Sequence, residues 1–290
     1  MNATLDGLKL FVINVFPSLF PFFIITKLLT LLGLGKLLSK AFDKPISKMY
    51  KTSSIGGYIL ILSMMSGYPI GAKMVAEYYN SGEISLSEAK KIITFSSTSG
   101  PLFILGTIGT FFLKDYSAGL IILISHILSS VLNGLVYRGL TSSVNDAHIY
   151  FVEEDNVFTN AIQSTILSTL QVGACIVFLN VLVAFFYDVQ LINIIAKLFS
   201  LLGFENDLVE GCVVGVIEIT KGVSVLSTCP IRNIIVPLTT FVSFGGVSVM
   251  LQSMSFLKPI GITFRYYLTT KISQAMLGYL ISSILVILLY

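Results

Sequence analysis

Lys73 and Lys221 each stand beside a glycine-containing interruption of an apolar stretch, in "SMMSGYPIGAKM" and "IEITKGV". Ionisable groups inside a membrane are costly and are functional candidates by default. Hydroxyls of Ser66, Ser97, Thr98, Ser99, Thr220, Thr240 and Ser243, the phenol of Tyr68 and the carboxylate of Glu218 lie in the same or matching interruptions. Gly67, Gly71, Gly100, Gly222 and Gly245 give the backbone there the freedom to turn. Helices broken at such points expose unpaired N–H groups and positive dipole ends, which attract anions. The chemistry is non-covalent capture of a small anion, a carboxylate being the natural guess.

Other roles stay open for the same residues. Lys73 could pair with Glu77 one turn on, and Lys221 with Glu218 three residues back. Ser97-Thr98-Ser99-Gly100 could be a helix-packing patch. Glu218 could be a proton- or cation-coupling carboxylate, and Tyr68 could touch substrate or plug a turn. His126, alone in "LISHILSS", reads as an interhelical hydrogen-bonding residue. Enzyme motifs are absent: there is no H-E-x-x-H, no G-x-S-x-G and no phosphate-binding loop. Ser66 and Lys73, seven residues apart, carry little specificity as a dyad, so the chain reads as no enzyme. The cysteines, Cys175, Cys212 and Cys229, are too far apart for a metal site and read as small apolar fillers. No cofactor is expected beyond a coupling ion, Na+ or H+.

The elements that position these groups are membrane helices. Of 290 residues, 54% are hydrophobic and 11% charged, against about 25% charged in soluble domains. Uncharged runs cover 10–26, 52–72, 92–113, 116–137, 156–187, 233–257 and 272–290; a crossing needs about 20 apolar residues. The net charge of +3 sits in membrane-flanking loops and gives no reason to expect nucleic acid. The first run, with a thin basic region and no small-residue cleavage site, reads as a retained helix rather than a signal peptide.

The chain divides into residues 1–137, a polar cytoplasmic linker at 138–156, and residues 157–290. Each half runs in the same order: long helix, amphipathic stretch, interrupted apolar piece, helix broken by small polar residues, closing helix. Before Gly67-Tyr68-Pro69, "SIGGYILILSMMS" supplies 13 residues, roughly 20 Å of helix, enough to reach the bilayer middle but not to cross. Two such half-helices predict a re-entrant hairpin whose tip faces protein or water. "EGCVVGVIEITKGVSVLS" predicts a second. The expected fold is an all-α polytopic membrane protein of two inverted repeats, each with three transmembrane helices, one of them broken, and one hairpin. With both termini outside, twelve of the eighteen Lys and Arg residues, Lys271 among them, fall in cytoplasmic segments. Lys9, Lys114, Lys197 and Arg232 fall outside, a positive-inside bias. The tips at 66–73 and 218–222 and the breaks at 96–101 and 239–246 should converge near the midplane.

"SGYPIGAK", "STSGPLFILGTIG" and "GFENDLVEGCVVGVIEITKG" together resemble the YlbJ-type sporulation integral membrane proteins, the stage V sporulation protein V family of endospore-forming Firmicutes. The resemblance runs from about Leu10 to the C-terminus. It implies nucleoside-recognition (Gate) domains distantly similar to concentrative nucleoside transporters, and a place in the outer forespore membrane. It also implies alternating-access transport of dipicolinate (pyridine-2,6-dicarboxylate), a small aromatic dianion, towards the spore. The substrate positions it implies are Ser66 to Lys73, Ser97 to Gly100, Glu218 to Gly222 and Thr240 to Gly245. Nucleoside carriers hold ribose with acidic and amide groups of a broken helix, whereas "SSTSGP" offers neither, which favours a carboxylate ligand. Nucleoside carriers of this plan form trimers, so a homo-oligomer is expected. Two other readings remain: a sodium- or proton-coupled nucleoside carrier, and a non-transporting partner in a sporulation membrane complex.

Overall fold

The computed structural model describes residues 2–32, 45–140 and 156–290. All regular structure among them is helical. Lys36, Lys40 and Lys44, most of the first amphipathic stretch and nearly all of the linker lie outside the described residues.

The chain opens with α1 (Asn2–Lys9), passes through a π-helical segment (Leu10–Val15) and bends into α2 (Phe16–Leu31). α3 (Ser54–Ser66) and α4 (Ile70–Asn80) follow as the first hairpin. Next comes a broken helix, α5 (Leu86–Ser96) and a second π-helical segment (Phe103–Phe112), then α6 (Tyr116–Val136). The second half repeats the order with α7 (Val157–Asp188), the amphipathic α8 (Leu191–Ser200) and the second hairpin, α9 (Asn206–Ile217) with α10 (Ile219–Leu226). A second interrupted helix, α11 (Ile231–Phe244) and α12 (Gly246–Leu257), leads to α13 (Phe264–Leu289).

Among the described residues, four helices are long and apolar enough to cross a membrane: 116–136, 157–188, 231–257 and 264–289. The pair Asn2–Val15 and Leu19–Leu29, bent by 55°, would make a fifth. The sixth expected crossing, 86–112, is split into halves of 11 and 10 residues, each too short alone. The long helices turn large apolar side chains outward, as in Ile124, Leu128 and Leu132 of α6 and Leu280, Ile284 and Ile287 of α13. They bury small and polar ones: Ser125, Ser129, Ser130 and Asn133 of α6 are all fully covered. That is the reverse of a soluble helix and the pattern of one packed in lipid.

Two sequence features make the first hairpin. The 13-residue α3 ends at Gly67, whose φ of 82° is left-handed and whose N–H closes on the Ser63 carbonyl at 2.8 Å. A Cβ on Gly67 would lie 2.5 Å from the Gly100 nitrogen, so hairpin tip and helix break touch backbone to backbone. Gly71, one turn into α4, packs so closely on α5 that a Cβ would overlap the Ser96 carbonyl oxygen.

The break after Ser96 strands carbonyls that a continuing helix would have satisfied. α6 supplies the missing donors: Ser130 Oγ donates to the Phe95 carbonyl at 2.6 Å and Asn133 Nδ2 to the Thr94 carbonyl at 2.7 Å. The polar residues of α6 thus hold the first broken helix open.

Candidate functional site

The hairpin tips and the first break meet around one cavity. Gly67 and Tyr68 come from the first tip, Ser99 and Gly100 from the break, Glu218 and Thr220 from the second tip. Ser248, Val249 and Gln252 of α12 close one side, and Val15, Leu19, Val172 and Ile176 of the opening helices line an apolar wall.

Glu218 is 3% exposed and caps α10 with both oxygens: Oε1 accepts the Thr220 N–H at 3.2 Å and Oε2 the Lys221 N–H at 2.7 Å. Its charge is taken up by the helix start it caps. The Lys221 backbone, not its ammonium, is therefore Glu218's hydrogen-bonding partner. On α12, Gln252 donates to Ser248 Oγ at 3.1 Å, placing an amide and a hydroxyl at the cavity edge.

Behind Tyr68 lies an ammonium that the sequence reading assigned to a cytoplasmic segment. Lys271 of α13 is 1% exposed; its Nζ donates to Tyr68 Oη at 2.8 Å, to the Ser97 carbonyl at 3.0 Å and to Gln274 Oε1 at 2.6 Å. It also lies 4.8 Å from the centroid of the Tyr68 ring, a cation–π contact. All three hydrogen-bond partners are neutral oxygens. Tyr68 Oη in turn donates to the Val242 carbonyl at 3.1 Å. Lys271 is thus a buried residue of α13 and not a loop residue.

His126 links the two halves. Its Nε2 accepts the Ser99 N–H at 2.8 Å and its Nδ1 lies 3.0 Å from Ser243 Oγ. A backbone N–H can only donate, so Nε2 is unprotonated and the neutral ring carries its proton on Nδ1, facing Ser243.

Of the sixteen residues expected at the site, Gly67, Tyr68, Ser99, Gly100, Glu218 and Thr220 line the cavity. The others sit elsewhere. Ser66 contacts the Thr26 hydroxyl, and Gly71 packs on α5. Ser97 Oγ shares a 2.7 Å hydrogen bond with Tyr267 Oη, while Thr98 is buried with its hydroxyl unpartnered. Gly222 packs on Gly215 inside the second hairpin, Ser243 faces His126, and Gly245 lies near the Lys271 chain. Thr240 donates to the Val236 carbonyl at 2.8 Å and lines an apolar hollow away from the cavity. Lys221 is half-buried outside the cavity. Lys73 reaches α7, where its Nζ donates to Ser164 Oγ at 2.7 Å and Ser168 Oγ at 3.2 Å. The expectation that all four interruptions form one surface with both lysines is corrected. The tips and first break do so, whereas the second break, at Gly245, backs the site instead of lining it.

Lys271, Gln252 and Ser248 escaped the sequence reading. A signal for Lys271 was present: Tyr267, Thr270, Lys271, Gln274, Gly278 and Ser282 recur at helical spacing in an apolar helix and are all buried. A polar stripe in a membrane helix faces the bundle interior.

No protein-family model matches the chain. It is 26% identical to the sporulation integral membrane protein YlbJ of Bacillus subtilis (strain 168), over 94% of this chain and 74% of that protein. Two solved structures of CNTnw, a concentrative nucleoside transporter, share its fold at 14% sequence identity. A variant in an outward-facing state gives a TM-score of 0.60, covering 95% of this chain and 75% of that one. An inward-facing substrate-bound state gives 0.59, with 95% and 74% covered. The proteins it resembles are thus a membrane sporulation protein and transporters, not enzymes. The chain is an all-helical membrane protein with the fold of a concentrative nucleoside transporter and similarity along nearly its whole length to a sporulation integral membrane protein.

Proposed function

We propose that the protein carries a small anionic metabolite across a membrane by alternating access, with dipicolinate across the outer forespore membrane as the substrate and place. The observation that carries this reading is the Lys271 ammonium, buried behind the cavity wall with three neutral oxygens as its hydrogen-bond partners. Capped as it is, Glu218 opposes an anion less than a free carboxylate would. The Tyr68 ring offers a flat face for an aromatic substrate, and the hydroxyls of Ser99, Thr220 and Ser248 and the Gln252 amide offer donors. Similarity to a sporulation membrane protein agrees with a substrate of the developing spore.

A nucleoside is the second reading, favoured by the fold and by the placement of Glu218 and Gln252 at the cavity. Uptake of labelled dipicolinate and of labelled uridine into liposomes holding the purified protein separates the two. Runs with and without Na+ and proton gradients identify any coupling ion. Dipicolinate uptake that Lys271→Met abolishes supports the anion reading, and uridine uptake replaces it. Absence of both in monodisperse protein points to a non-transporting partner role.

A further inference from the structure

Lys73 opens onto a second cavity, lined also by Lys27, Glu77, Ser164, Thr165 and Ser168. Three elements build both cavities in succession. On α2, Leu19 lines the central cavity, while Phe23 and Lys27, one and two turns on, line the second. On α7, Ile176 and Val172 face the central cavity and Ser168, Thr165 and Ser164 the second. In the first hairpin, Tyr68 faces one and Ile70, Lys73 and Glu77 the other. Residues three to four apart stack on one helix face, so the two cavities follow one another along the same faces of α2 and α7, which are apolar at the first and hydroxyl-lined and cationic at the second.

The second cavity is built to receive a ligand. Lys73 does not spend its hydrogen bonds on Glu77; its ammonium is held in place by two serine hydroxyls. Thr165 is 2% exposed, lines the cavity, and its Oγ1 has no hydrogen-bond partner. A buried hydroxyl without a partner costs about 1–3 kcal/mol, a cost that an entering oxygen ligand removes. Two ammonium groups against one carboxylate leave an excess of one positive charge, and Glu77 keeps the hold weak enough for release.

We propose that this cavity is a transit site for a small carboxylate anion, held by Lys73, Lys27 and the Thr165 hydroxyl as it passes to or from the central cavity. The proposal rests on the anion-transport reading above, and its test does not depend on which anion is carried. In a variant with Cys175, Cys212 and Cys229 replaced by alanine, Thr165→Cys is exposed in liposomes to two methanethiosulfonate reagents. One carries a sulfonate, the other a trimethylammonium group, and each rate is divided by that for free cysteine. The sulfonate reagent is expected to be favoured by at least tenfold, Lys73→Gln to erase the preference and Lys73→Arg to keep it. Millimolar dipicolinate is expected to slow labelling. Should Lys73→Gln not fold, Lys27→Gln makes the same comparison. Equal normalised rates, a preference untouched by both lysine variants, or no labelling at all overturns the proposal. A lysine-dependent preference for the sulfonate that succinate relieves and dipicolinate does not would keep the transit site and discard dipicolinate as its anion.

Discussion

A buried lysine is a costly choice for stability alone, because desolvating an ammonium costs several kcal/mol and neutral oxygens return only part of it. Lys271→Met keeps the length and apolar stem, removes the charge and leaves Tyr68 bonded to the Val242 carbonyl. The expected outcome is a Tm equal to or above that of the wild type, with dipicolinate affinity reduced at least tenfold; thermal unfolding and equilibrium binding on the same preparation check both. A merely structural lysine would give the opposite pattern. At this scale the sequence was half legible. The glycines and hydroxyls at the interruptions could be read because they violate the apolar pattern around them. Lys271 could not be read by run length, since it sits where an apolar stretch is only beginning, and hairpin and partner helix meet 203 residues apart in the chain. Lys73 and Lys221 looked equivalent by position, yet one reaches across to α7 while the other stays outside the central cavity.

At the scale of elements, the hairpins and the first broken helix were legible from length: 13 apolar residues and a Gly-Tyr-Pro turn cannot cross a bilayer. The second interruption was less so, because it is confined to Gly245 and Gly246 and the helices on either side remain one span. Gly67→Ala tests the first tip. A Cβ there meets the Gly100 backbone and forces an alanine into a left-handed φ, which costs on the order of 1–3 kcal/mol. Loss of transport with a Tm lowered by several degrees is the expected result. A second element test lies at the start of α6, where Asp115 Oδ1 accepts the Ala118 N–H at 3.0 Å and Oδ2 the Tyr290 hydroxyl at 2.6 Å. The Tyr290 hydroxyl, then the Ala118 N–H, hold this carboxyl below the usual carboxylate range. A depressed folded value means the contact stabilises above the ordinary carboxylate pKa and fades as pH falls through the lowered one. Asp115→Ala should therefore cost about 1 kcal/mol near neutrality, a deficit that shrinks in acid; Tm measured against pH follows it.

For the whole molecule, alternating access predicts counterflow: vesicles preloaded with unlabelled dipicolinate should take up labelled substrate faster than empty ones, whereas a channel would show no acceleration. The order of elements in the two halves was legible from run lengths and breaks. Which faces would slide and which would lock was not, because that depends on hydrogen bonds between residues far apart in the chain.

Those bonds are unevenly distributed. Tyr68 to Val242, Lys271 to Ser97, and His126 to Ser99 and Ser243 tie the first hairpin, both interrupted helices, α6 and α13 into one polar lattice. Against the cavity's far wall the facing residues are Val15, Leu19, Val172 and Ile176, all with apolar side chains. Apolar contact resists shear less than a polar lattice does, so the expected slip plane of a transport cycle runs along this wall, crossed by Lys73 on two serines of α7, by Ser66 on Thr26, by Thr107 Oγ1 on the Asn14 carbonyl and by Gln171 on Ser255.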